Sequence, residues 1–191
     1  MAYGITTMIR EEGIDITVDL HEASPEYPTI NTMVAHQRAL EMASSSLINM
    51  QLAGMTIGLE PSPENLHGLT HRELGDYTDT MAILMETANA SQGRLRGASG
   101  EAQAIGGLDK FYVIEEKLDM LAVPFDETGH PIEERVGRHL QGIYEYVAAF
   151  NNVEAEAGEE IIISGVPTYT DLFLTADPAM LGGDWLGTFL Q

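Results

Sequence analysis

Apolar positions fall along the chain in short blocks separated by polar, glycine- and proline-rich stretches. Ile5 to Arg10 read as the end of a helix, and Glu11, Glu12 and Gly13 supply its stop. Residues 14–20, Ile-Asp-Ile-Thr-Val-Asp-Leu, are β-branched and nearly continuous in apolar character, which predicts a buried strand. A loop with Pro25 and Pro28 follows. From residue 31 to 52 the apolar residues Met33, Val34, Leu40, Met42, Leu47, Ile48 and Leu52 share one broad face, predicting a helix closed by Gly54. Residues 55–59 predict a short strand and residues 60–76 a loop. The run Thr80-Met81-Ala82-Ile83-Leu84-Met85 predicts a second central strand ending at Glu86-Thr87.

The next segment, residues 88–107, is rich in Gly, Ala, Ser and Gln and reads as an active-site loop or cover; 108–122 is mixed, with helical character at 114–120. Pro131 suits the first turn of a helix running to about Phe150, whose Val136, Leu140, Ile143, Tyr144 and Val147 have helical spacing. Ile161-Ile162-Ile163 has β character, and the tail from Tyr169 is apolar and irregular. Strands alternating with helices predict an α/β fold.

Composition narrows the function classes. The 191 residues carry 30 acidic and 9 basic side chains, a formal charge of −21. Lysine occurs only as Lys110 and Lys117, so no polybasic patch forms, and nucleic acid and anionic lipid would be repelled. No apolar run reaches the about 18 residues that span a bilayer, and the N-terminus has no signal-type apolar core. The expectation is a cytoplasmic protein with no nucleic-acid or membrane partner. Cysteine is absent, so a metal would be held by His, Asp or Glu.

Three groups of residues can carry chemistry. His21, in Asp19-Leu20-His21-Glu22 at the end of the first strand, can bind a divalent cation through one ring nitrogen while a carboxylate orients the other. It can equally be a strand-end histidine with ordinary hydrogen bonds. Glu86 ends the uncharged run 81–85, and a carboxylate at the end of a buried strand loses hydration, which raises its pKa toward that of a general base. Arg94 and Arg96 follow and can grip a substrate carboxylate, or simply pair with glutamates of the loop. His67 and His71 are spaced i, i+4, but Gly68 between them and the prolines before them argue against a two-histidine helix face, so a structural or substrate-contact role is expected. His36, His130 and His139 read as surface or packing residues.

The order of these pieces resembles the C-terminal half of zinc carboxypeptidases of the M14 type and of the related succinylglutamate desuccinylase/aspartoacylase proteins. The stretches that carry the resemblance are Ile16-Thr17-Val18-Asp19-Leu20-His21, Ala82-Ile83-Leu84-Met85-Glu86-Thr87, and Pro131-Ile132-Glu133-Glu134 leading into Arg138 to Phe150. With the strand and helix pattern, the resemblance implies an α/β fold with a mixed, mostly parallel sheet flanked by helices, and a zinc-dependent amidohydrolase that cleaves a peptide or N-acyl amino acid. It implies that His21 is a zinc ligand, that Glu86 activates the zinc-bound water, and that Arg94 or Arg96 contacts substrate. Residues 1–150 would be the C-terminal half of the catalytic domain and 151–191 a C-terminal extension. The family's HxxE zinc motif should precede the strand carrying His21, yet no HxxE lies in the 20 residues before it; His130 and Glu133 match its letters in the wrong order. The resemblance therefore implies a fragment of a longer enzyme, inactive alone, or a chain completed by a partner, or a lost zinc site, of which the fragment is the favoured reading. A sheet cut through its middle would expose an edge strand prone to self-association. The other class left open is a non-catalytic binding or assembly module that keeps a hydrolase-like fold.

Overall fold

The computed structural model describes residues 2–23, 31–65, 67–88, 114, 117–119, 132–155 and 158–174. Helix α1 (Ala2–Glu12) leads into strand β1 (Ile16–Ala23) through Gly13, whose φ of 64° is the left-handed conformation of a helix stop. Strand β2 (Thr32–Ala35), helix α2 (Leu40–Leu52), strand β3 (Gly58–Pro61), helix α3 (Thr70–Tyr77), strand β4 (Met81–Ala88) and helix α4 (Ile132–Val153) follow. The sheet order is β1-β4-β2-β3. The β1/β4 and β2/β3 pairs are parallel and the β2/β4 pair antiparallel. The protein is thus α/β, with a mixed, mostly parallel sheet between helices. No helix among the described residues is long and apolar enough to cross a membrane.

Side-chain alternation gives the two faces different jobs. Met33, Ala35, Ile83 and Met85 point to one face and form the main core with Met42 and Met50 of α2 and Tyr146 and Phe150 of α4. Ala82 points to the other face and packs with Ile9 of α1 and Leu74 of α3. Strand β4 is buried on both faces from Ala82 to Met85, which is why its sequence reads as an unbroken apolar run. Helix α4 comes so close to β4 that a Cβ at Gly142 would lie 2.0 Å from Met85 Cε, so only glycine fits there without a shift.

Four expectations are corrected. Among the described residues strand β1 lies at the edge of the sheet, not buried within it: Ile16 and Val18 pack against the main core, while Leu20, His21 and Glu22 are exposed. Residues 32–35 belong to β2 rather than to a helix; the run is too short for periodicity to separate the two. The helical path starts only after His36, whose Nδ1 accepts the Arg38 N–H at 3.4 Å. The expected loop 60–76 contains α3, whose first turn is tied back by the Gly68 N–H donating to Glu73 Oε1 at 2.7 Å. Residues 161–163 form no strand. The Ile161 backbone is bonded instead by one side chain: Asn151 Nδ2 donates to Ile161 O at 2.8 Å, and Ile161 N donates to Asn151 Oδ1 at 2.9 Å. Segment 158–174 lies back on α4, with Tyr169 in the main core.

Candidate functional site at the ends of two parallel strands

Because β1 and β4 run parallel, their carboxyl ends lie side by side, where α/β sheets leave room for ligands. His21 and Glu86 are direct partners in the register, so their side chains leave the sheet on the same face. His21 Nδ1 lies 3.9 Å from Glu86 Oε1. Asp19, two residues earlier on that face, places Oδ2 3.9 Å from His21 Nε2. The imidazole thus stands between two carboxylates, at separations too long for hydrogen bonds. Its side chain is 41% exposed, against 18% for Glu86 and 27% for Asp19.

This exposure gradient sets the electrostatics. Burial strips water from the Glu86 carboxylate and raises its pKa above the ordinary value, and the nearby His21 offsets part of that rise. Glu86 Oε2 and Asp19 Oδ2 are both buried and have no hydrogen-bond partner among the described residues. A carboxylate held like this is an underused acceptor, suited to taking a proton or meeting a ligand donor.

Behind β1, His139 of α4 lies 3.1 Å from the carbonyl oxygen of His21. A carbonyl only accepts, so His139 donates from Nε2 and anchors the backbone that carries His21. Burial lowers the His139 pKa to about 4, which keeps it neutral. Its anchoring role left no trace in the sequence beyond a polar residue at a half-buried helix position.

The other histidines separate. His71 is buried on α3, and its Nε2 is 3.0 Å from Ser62 Oγ. His67 lies before α3, exposed, 3.8 Å from Glu73, so the two do not share a helix face. His36 is buried and 3.2 Å from Asp76 Oδ1 through Nε2. Arg94, Arg96 and His130 lie outside the described residues.

As a metal site, the arrangement is partial. Among the described residues no group of three His, Asp or Glu side chains is placed to hold a metal ion. One half-exposed imidazole flanked by carboxylates supplies one nitrogen donor and an orienting partner for the other nitrogen, which fits one ligand position of a catalytic zinc but not the whole set. The geometry supports proton transfer at Glu86 and ligation or hydrogen bonding at His21. No protein-family model, no curated protein and no solved structure matches the chain.

Proposed function

We propose that this chain is part of a zinc-dependent amidohydrolase of the carboxypeptidase or deacylase type, acting on a peptide or an N-acyl amino acid. The observation that carries the reading is the in-register pair His21 and Glu86, 3.9 Å apart at the carboxyl ends of adjacent parallel strands. His21 would hold the metal through Nδ1, and Asp19 would orient the ring from the Nε2 side. The remaining ligands would come from outside the described residues. Zinc, when bound, lowers the pKa of water and polarises a carbonyl.

The chain's own contribution is the proton. Glu86 is dehydrated enough to hold a proton more readily than a surface glutamate and has one buried oxygen without a hydrogen-bond partner among the described residues. It takes a proton from the attacking water and returns it to the leaving amine. His139 fixes the backbone under His21, so the two groups keep their spacing. Arg94 and Arg96 remain the proposed contacts for a substrate carboxylate. We take the setting to be cytoplasmic.

The test is zinc content and hydrolysis of a panel of N-acylated amino acids and blocked dipeptides by the full-length protein. His21→Ala lowers bound zinc, and Glu86→Gln abolishes hydrolysis while keeping the zinc. Unchanged zinc in the first variant, or undiminished hydrolysis in the second, removes the assignment. A second reading, a binding or assembly module without catalysis, draws on the lack of a third metal-ligating side chain beside His21 among the described residues. It predicts no hydrolysis under any condition and zinc binding no better than that of a surface histidine.

A further inference from the structure

A cavity of about 300 Å³ lies on the same sheet face as His21 and Glu86, between α1, α3 and the first half of β1. Apolar side chains make most of its wall: Ile5 and Ile9 of α1 and Leu74 of α3, with half-exposed Met8 at its rim. Thr17, Asp19 and His71 also reach it. Thr17 Oγ1, Asp19 Oδ2 and His71 Nδ1 are buried beneath the protein surface, and His71 Nε2 lies 3.0 Å from Ser62 Oγ, so the wall is mainly hydrocarbon. Small-molecule sites run to roughly 300–1,000 Å³. This one, at the small end, has room for a short aliphatic chain and none for a polypeptide segment.

The cavity adjoins the candidate site. Thr17, Asp19 and His21 alternate onto one face of β1. The cavity reaches Asp19, one same-face step of about 7 Å along the strand from His21. Asp19 Oδ2 lies 3.9 Å from His21 Nε2, and Glu86 stands on the other side of the ring, 3.9 Å from Nδ1. That order assigns the two halves of an amide substrate. The leaving amine takes its proton from Glu86 and so lies on the Nδ1 side. The acyl group then extends the other way, past Asp19. We propose that the cavity binds the acyl chain of an N-acyl amino acid, and that this chain is short, aliphatic and uncharged. The assignment rests on the hydrolase reading and narrows it from peptides to N-acyl amino acids. An acyl chain ending in a carboxylate is disfavoured, because its charge would meet an apolar wall beside Asp19 in a chain of −21.

The test is kcat/KM of the full-length protein for the N-acetyl, N-butyryl, N-hexanoyl and N-adipoyl derivatives of one amino acid. Values rise roughly threefold per methylene from acetyl to hexanoyl, as burial of a hydrocarbon chain requires. Adipoyl, as long as hexanoyl but ending in a carboxylate, falls to the acetyl value or below. Ile5→Trp, which fills the cavity, and Met8→Glu, which puts a charge at its rim, each bring the hexanoyl-to-acetyl ratio toward one. Met8 is half-exposed, so the second variant keeps the fold. In parallel, methyl NMR with hexanamide, which needs no turnover, shows Ile5, Ile9 and Leu74 shifting together, while acetamide at the same concentration leaves them unmoved. Equal kcat/KM for acetyl and hexanoyl overturns the proposal and leaves the hydrolase reading in place. Absence of the methyl shifts overturns it as well. No hydrolysis of any substrate, with the shifts present, removes the hydrolase reading and upholds the cavity as a site for a short aliphatic chain.

Discussion

Glu86→Gln should make the protein more stable while removing its proposed base. The carboxylate sits at the end of a central strand, with a side chain 18% exposed and one buried oxygen that has no hydrogen-bond partner among the described residues. Leaving a buried charged acceptor unsatisfied costs about 1–3 kcal/mol. Residual hydration and the imidazole 3.9 Å away offset part of this, so a gain of about 1 kcal/mol is expected from the neutral isostere. For a chain of this length that is a rise in Tm of about 2–4 °C. The pH dependence is a sharper test. The folded carboxyl has a raised pKa, so the native state keeps the proton to higher pH than the unfolded chain. The stability due to the protonated form is complete below the unfolded value of 4.5 and is lost as pH rises through the higher folded value. Urea unfolding of both proteins at pH 4 and pH 8 should show little difference at pH 4 and the glutamine variant ahead at pH 8. A glutamine variant that is equal or less stable at pH 8 would show that Glu86 is not held in a desolvated state, and the general-base argument would fail with it.

Gly142→Ala places a methyl group 2.0 Å from Met85 Cε, and this overpacking should cost about 1–3 kcal/mol beyond the helix-propensity gain of about 1 kcal/mol; adding Met85→Val should recover most of it in urea unfolding. Arg138 is buried, bonded to Glu134 Oε1 at 3.1 and 3.2 Å, and its guanidinium carbon is 5.3 Å from the Tyr169 ring centroid. Arg138→Ala should cost about 3 kcal/mol and speed amide exchange in residues 158–174 more than in the sheet, whereas equal protection there would show that Arg138 does not hold this segment on α4. His71 and His139 are both lowered to about 4, so their contribution to stability is complete above 6.5 and is lost as pH falls from 6.5 toward 4. Each adds up to about 1.4 kcal/mol per pH unit to the slope of unfolding free energy, and His139→Gln should remove one such share.

The parts of this fold that were legible in the sequence are those where one rule acts without competition. The run 81–85 is uncharged because β4 is buried on both faces, and the 3.6-residue spacing of α4 survives because one stripe faces the core. The pairing of His21 with Glu86 was reachable because each ends an apolar run, and a parallel neighbour relation then sets them side by side. The misreadings share a cause. Strand β2 has four residues, too few to show a period, and its Met33 and Val34 happen to extend the pattern of α2. Helix α3 was hidden by the glycine and prolines just before it, although the Glu73 side chain that ties its first turn lies in plain view. Residues 161–163 read as a strand because apolar β-branched residues favour extended backbone, but the partner they found is the amide of Asn151. The position of β1 at the edge of the described strands and the buried state of His71 depend on what packs beside them, which no local pattern encodes. Arg94 and Arg96, read as substrate contacts, lie outside the described residues.

His21, as the proposed metal ligand beside Glu86, should bind zinc unlike an ordinary surface histidine. Titration of the full-length protein, with ring-labelled histidines, by zinc under NMR observation tests it, because exposed His67 serves as an internal comparison. The His21 ring signals should shift at substoichiometric zinc, well before those of His67. If His21 and His67 respond together, only at excess zinc, the metal-ligand assignment is wrong.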